Sequence, residues 1–319
     1  MGKASRTKSD VSRRERIAAQ RAAERRAERR RRILIASGSV LVVVAIVLAF
    51  VLVKITSGSG TSHPKAASNG PAGAALSTLV NEVTTIPAST LDAVGGGSIS
   101  NGGSIGASPS GGGTFFTDVS GSALTSGGKP EFLYIGAEYC PYCAAQRWPM
   151  IIALSRFGTF SGLSTIHSSS TDAYPNTPTW TFYGSHYTSK YLTFVSVEET
   201  KNYRIGNTTN TSVNYVPLQT PTSAQQSLLT KYDPNQSIPF LDIGGKYVGV
   251  GNPNPYGPQD LQGMSWTQVA AALRNPSSTI AQGALGTANY LTAAICKLTG
   301  NQPASACTPA IKALEAKLG

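Results

Sequence analysis

Histidine and cysteine are scarce in this 319-residue chain, with 3 and 4 residues. His63, His167 and His186 are scattered, and neither they nor Cys296 and Cys307 stand at metal-ligand spacing. A zinc site is therefore not indicated, and no metal or organic cofactor is expected. Acidic residues are few as well, 16 against 27 Lys and Arg, for a net charge of +11. That excess is local. Residues 1–32 hold 13 Lys or Arg against Asp10, Glu15, Glu24 and Glu28, net +9, which leaves 14 basic and 12 acidic residues beyond them. The basic pI thus describes a tail, and a nucleic-acid-binding domain is not expected. Internal repeats are absent. The triplets Gly95-Gly96-Gly97 and Gly111-Gly112-Gly113 lack GxGxxG context, so no phosphate site is expected.

Charge is missing altogether from Ile33 to Val53, which is 21 residues. At about 1.5 Å per residue such a helix would span roughly 30 Å, the thickness of a bilayer core. The arginine cluster at its N-terminal end predicts a cytoplasmic tail and an extracytoplasmic remainder. A cleaved signal peptide fits less well, because the basic region is long and Thr56-Ser57-Gly58 is a poor cleavage site. The expectation is a single-pass cell-membrane anchor. Thiols outside the cytoplasm tend to be oxidised. Four cysteines allow three pairings, of which the local one, Cys140–Cys143 with Cys296–Cys307, is the most economical.

What is present, and most informative, is Cys140-Pro141-Tyr142-Cys143. It follows the apolar run Phe132-Leu133-Tyr134-Ile135-Gly136 and precedes a helix-like stretch, Ala144 to Phe157. Dithiol exchange needs such a placement. The thiolate is the nucleophile, and a helix N-terminus offers unpaired N–H groups and partial positive charge. With Cys140 at the N-cap, Pro141 falls at N1, where its missing N–H costs nothing. Cys143 falls at N3. Cys140 would then be exposed and favoured as thiolate, while Cys143 would be shielded and resolve the mixed disulfide. A purely structural disulfide is disfavoured, since so small a ring removes little unfolded-state entropy. Glu138 is read two ways, as proton acceptor for Cys143 or as a solvated strand-end charge. Arg147, one turn after Cys143, would stabilise a thiolate or merely cover the helix. Tyr139 and Trp148 are candidate groove walls, although such aromatics are more often core, and Tyr142 is a candidate substrate-binding residue. Cys296 and Cys307 bracket a loop between two helices and are read as a staple, with an electron relay as the alternative.

The pattern divides the chain into a basic cytoplasmic tail (1–32), a transmembrane helix (33–53) and a Gly/Ser/Pro-rich linker with a short helix (54–128). A packed α/β domain (129–275) and a C-terminal helical extension with the second cysteine pair (276–319) follow. Leu76 to Val94 is amphipathic and interrupted at Pro87. Leu163 to His167 is expected as the second strand. Residues 168–216 are expected as short strands and loops with aromatic patches at Trp180 to Tyr183 and Tyr191 to Val197. Ala224 to Tyr232 is a short helix. Ser237 to Ile243 and Lys246 to Val250, joined by Gly244-Gly245, make a hairpin. Ser265 to Arg274, Thr279 to Leu298 and Thr308 to Leu318 are helices.

Strand, CxxC, helix, strand, insertion, helix, then Ile238-Pro239-Phe240 leading into a hairpin and a last helix, resembles the thioredoxin fold. In that superfamily a cis-proline begins the strand facing the CxxC, and Pro239 matches it. The resemblance implies that Ile238 and Pro239 bind substrate backbone beside Cys140, with Tyr142 between the cysteines. A long insertion, from 140 to 239, departs from the minimal fold. The stretches Gly128-Lys129-Pro130-Glu131, Tyr134 to Ala145, Arg147-Trp148 and Ala153-Leu154-Ser155-Arg156-Phe157-Gly158 further resemble the membrane-anchored prokaryotic family called domain of unknown function 929. The expected activity is thiol–disulfide exchange on cysteine-containing envelope or secreted proteins, together with a membrane redox partner. The alternative is a non-catalytic scaffold that holds an envelope partner through the aromatic insertion.

Overall fold

The computed structural model describes residues 70–100, 116–119, 121–251 and 256–318. The expected tail, the transmembrane helix 33–53 and much of the expected linker lie outside the described residues. Among the described residues no helix is long and apolar enough to cross a membrane.

Helices α1 (Gly73–Thr84), α2 (Ala88–Val94) and α3 (Gly97–Ser100) come first, followed by strands β1 (Thr117–Asp118), β2 (Thr125–Ser126) and β3 (Lys129–Gly136). Helix α4 (Pro141–Ser155) leads into β4 (Gly158–Ser161), β5 (Ser164–His167), β6 (Pro178–Thr181), β7 (His186–Ser189), β8 (Thr193–Glu198), β9 (Thr200–Arg204) and β10 (Tyr215–Pro217). The chain continues through α5 (Ser223–Tyr232), β11 (Phe240–Ile243), β12 (Tyr247–Val250), α6 (Pro258–Leu261), α7 (Trp266–Leu273), α8 (Thr279–Leu298) and α9 (Pro309–Glu315).

The main sheet runs β1-β12-β11-β3-β2, with β8 also paired to β3. Strand β8 is parallel to β3, placing Phe194 opposite Phe132 and Val197 opposite Ile135. Strand β11 is antiparallel to β3, with Phe240 opposite Ile135 and Ile243 opposite Phe132. Strand β3 is apolar throughout Phe132–Ile135 because both faces are covered. Phe132 and Tyr134 enter the larger core with Trp148, Leu154 and Leu285. Leu133 and Ile135 enter a smaller one with Leu229, Phe240 and Val248. The hairpin between β11 and β12 turns on Gly244 and Gly245, whose φ values of 68° and 71° suit a primed turn that other residues resist.

The strand expected at Leu163 to His167 forms as β5, but it pairs with β6 in a separate ribbon. The parallel neighbour of β3 is β8, inside the patch expected as loops and short strands. Both runs are short and mixed in polarity; cross-strand packing of Phe194 on Phe132 distinguishes them. The segment 276–319, expected as an extension, is central. The described residues form one compact unit, and α8, buried along nearly its whole length, packs against α4. The helices α1 and α2 dock on the same core through Leu79, Val83 and Leu91.

Helix α4 carries Pro149 inside it. Proline has no N–H to give the carbonyl four residues earlier. The freed Ala145 oxygen accepts the Tyr256 hydroxyl at 3.4 Å, and Thr179 Oγ1 donates to the Ala144 oxygen at 2.8 Å. The helix that presents the cysteines is thus tied sideways to two other segments.

Candidate active site

Cys140 is the N-cap of α4, and Pro141 occupies the first helical turn. The backbone N–H of Cys143 donates to Cys140 Sγ at 3.2 Å. One orphan donor of the helix end is therefore aimed at sulfur, a geometry that favours negative charge there. On its other side Cys140 Sγ donates to the Ile238 carbonyl oxygen at 3.9 Å, and the Ile238–Pro239 peptide is cis. The approach to Ile238 is fixed by the buried Asp233 carboxylate, which accepts from the N–H groups of Asn235 and Ser237. Neither Cys140 nor Cys143 is in a disulfide here.

Cys140 was expected to be exposed; its exposure is 4%. The Ile238–Pro239 edge closes it on one side. The loop 168–177 adjoins the same entrance, tied by Ser169 N–H to the Tyr139 carbonyl at 2.9 Å. The exposed group at the mouth is Tyr142, at 39%, packed edge-on to Tyr174 with centroids 5.9 Å apart. Cys143 is fully buried, as expected. Burial pushes its thiol well above the usual value, and the hydrogen bond and charge of Cys140 push it the same way. Arg147 and a backbone hydrogen bond from Ala137 pull it down.

Glu138 is not a solvated charge. It is 1% exposed, with its Oε1 accepting from Thr181 Oγ1 at 2.6 Å. Burial lifts its carboxyl from 4.5 to about 6 against that hydrogen bond, with the Glu198 charge adding to the rise. Its Oε2 is buried without a hydrogen-bond partner among the described residues. Arg147 neither covers the helix nor reaches solvent. Its Nε and Nη2 grip Glu198 at 2.9 and 2.6 Å, and Nη2 also donates to the Ala137 carbonyl at 2.7 Å. Burial alone would lower the Arg147 pKa; Glu198 beside it more than offsets this, so it is raised and the cation persists. Trp148 is core, donating from Nε1 to the Pro178 oxygen at 3.0 Å, and not a groove wall. Tyr139 is at the mouth, stacked on Tyr215 at 4.1 Å, with the Arg204 guanidinium over the other ring at 4.1 Å.

Glu198, Tyr174 and Tyr215 are site residues that sequence reasoning missed. Glu198 ends β8 beside the apolar Val197, and a carboxylate there is the one signal it offered. Among the described residues no cluster of His, Cys, Asp or Glu would hold a metal ion.

The second pair is joined: Cys296 and Cys307 form a disulfide with Cα atoms 5.7 Å apart. Both are buried. Next to it the Ala306 oxygen accepts from Arg156, the C-cap residue of α4, at 2.7 Å. The two pairs therefore lie at opposite ends of α4, roughly 22 Å apart along a helix of 15 residues.

These features define a mixed α/β chain with a dithiol at the N-terminus of a helix. A family model described as Domain of unknown function (DUF929) matches residues 115–297, more than half of the chain, and the chain belongs to that family. No curated protein and no solved structure gives a significant match.

Proposed function

We propose that this chain is a membrane-anchored, extracytoplasmic thiol–disulfide oxidoreductase of thioredoxin-like fold, with Ile33 to Val53 as its anchor. The order β12-β11-β3-β8 with α4 crossing between parallel strands supports the fold. The observation that carries the function is Cys140 Sγ at the cap of α4, receiving the Cys143 N–H and facing Ile238.

In the reducing direction the Cys140 thiolate attacks a substrate disulfide. One substrate sulfur leaves as thiolate, and a mixed disulfide forms. Cys143 gives its proton to the Glu138 carboxylate and attacks Cys140 Sγ. The second substrate thiolate leaves, and the pair remains as a disulfide. In the oxidising direction the same steps run backwards. A cysteine-bearing membrane partner resets the pair, and the relative stability of the two thiolates sets the poise. Ile238 and Pro239 supply backbone to the substrate strand, and Tyr142 lines its path.

Full-length protein carrying Cys143→Ala tests the reading. Cys140 should accumulate in mixed disulfides with envelope or secreted proteins, because no resolving thiol remains. A reactive Cys140 that captures none would argue against protein substrates. The near-burial of Cys140 favours a second reading, a scaffold that binds a partner at Tyr142 and Tyr174. Failure of Cys140 to react with any small disulfide would select it.

A further inference from the structure

Tyr134 has a hydroxyl that the packing does not need. Its ring sits edge-on to Phe182 at 5.3 Å, which phenylalanine would do equally well. The hydroxyl is buried and has no hydrogen-bond partner among the described residues. A buried donor without a partner is costly and calls for an explanation. Its position supplies one. The oxygen lies over Gly136, where a Cβ would come within 2.1 Å of it, so glycine is required for the approach. The next residue, Ala137, acts on Cys143 through its backbone, and its carbonyl accepts from Arg147 Nη2 at 2.7 Å. The Arg147 guanidinium is 5.9 Å from the Tyr134 ring centroid, and its Nη1 is likewise buried without a partner. Cys143 and Arg147 are four residues apart on α4 and share a face. Two unused donors thus belong to side chains that neighbour each other and act electrostatically on the buried sulfur.

We infer that the Tyr134 hydroxyl, with Arg147 Nη1, is a donor site for the thiolate of Cys143, formed when that residue resolves the mixed disulfide. The inference rests on the exchange reading given above. In the dithiol the donors are idle. When Cys143 loses its proton to Glu138, the negative sulfur accepts their N–H and O–H hydrogens. Attack on Cys140 Sγ then forms the S–S bond, expels the substrate thiolate and leaves the donors idle again. Tyr134 keeps its proton throughout, since burial raises its hydroxyl well above the usual value.

The test uses full-length protein with Cys140→Ser, in which Cys143 is titrated by its ultraviolet thiolate absorbance against Cys140→Ser/Cys143→Ser. Tyr134→Phe is then added to both. The charged and titratable groups around Cys143 are Arg147 on α4, Glu198 on β8, Glu138 in the intervening loop and Tyr139 beside it. All are common to both backgrounds. Tyr134→Phe should move the Cys143 titration upward by about one pH unit, tenfold less thiolate at a given pH, as expected for a lost hydrogen bond to a charged group. In protein with both cysteines it should slow resolution of a glutathione mixed disulfide at Cys140 about tenfold. It should melt no lower than the parent in the dithiol state. An unmoved titration, or a fall in melting temperature showing that the hydroxyl serves the fold, would overturn the inference. The titration needs no exchange activity, so its failure leaves the exchange reading standing. Conversely, an inert Cys140 with a shifted Cys143 titration would overturn only the link to exchange.

Discussion

The CPYC pair and the Cys296–Cys307 pair flank the same helix. Cys140 caps the N-terminus of α4, with an N–H aimed at its sulfur and the β11 edge beside it. Cys296 and Cys307 lie near the other end, where Arg156 ties the α4 C-cap to their loop. The pairs differ in sequence separation, 3 against 11, but both are buried, so exposure does not separate them. Position at a helix end does. A sulfur at an N-terminus meets unpaired N–H groups, whereas the second pair joins the last turn of α8 to the start of α9. The separation of roughly 22 Å along α4 also removes direct exchange between the pairs.

The platform under the CPYC site should be the most sensitive part. Arg147→Ala leaves Glu198 buried without its partner, and stability should fall by about 3–5 kcal/mol. Replacing both, as Arg147→Met with Glu198→Leu, should recover most of it. Denaturant unfolding of the three proteins checks this. An Arg147→Ala loss near zero would mean that the ion pair does not hold α4.

The staple is next. Cys296→Ala/Cys307→Ala should cost roughly 2–3 kcal/mol on the chain-entropy model, read as a lower melting temperature. The Cys140–Cys143 redox state in cells should not change. A shifted oxidised fraction at the CPYC with normal melting would restore the relay and erase the contrast between the pairs.

The smallest effect concerns pH. The Glu138 carboxyl sits at about 6 in the folded chain against 4.5 ordinarily. Between these values the folded state holds a proton that the unfolded chain has lost. Stability from this group is full below pH 4.5 and is lost as pH rises through about 6. Asp242, lifted by burial from 3.8 to about 6, acts in the same direction. Glu138→Gln should therefore flatten the fall across that window and add on the order of 1–2 kcal/mol at neutral pH. It should also slow resolution at Cys143. Unchanged pH dependence would mean that Glu138 is no proton acceptor.

Local signals made one part of the site legible. The apolar run of β3 ending in Cys140-Pro141 announced a strand feeding a capped helix, Pro239 announced the facing strand, and Gly244-Gly245 announced the hairpin. Helix α8 has the bounds its apolar pattern predicts. The rest depends on partners distant in sequence. Arg147 and Glu198 are 51 residues apart, and nothing near either residue names the other. Strands β5 and β8 look alike as strings, and only β8 has a register that packs Phe194 on Phe132. The 3.6-residue pattern of α1 shows which face is buried but not that it docks on the domain core. Tyr215 reads as an ordinary aromatic until folding stacks it on Tyr139 at the entrance.

The central claim is that Cys140 and Cys143 are an exchanging pair. Its most direct test is to equilibrate full-length protein in buffers of varying reduced and oxidised glutathione, then trap free thiols and count them by mass. The account predicts that Cys140–Cys143 passes reversibly between dithiol and disulfide across that range while Cys296–Cys307 stays joined. A CPYC pair that remains in one state throughout, or that moves only together with Cys296–Cys307, would contradict it.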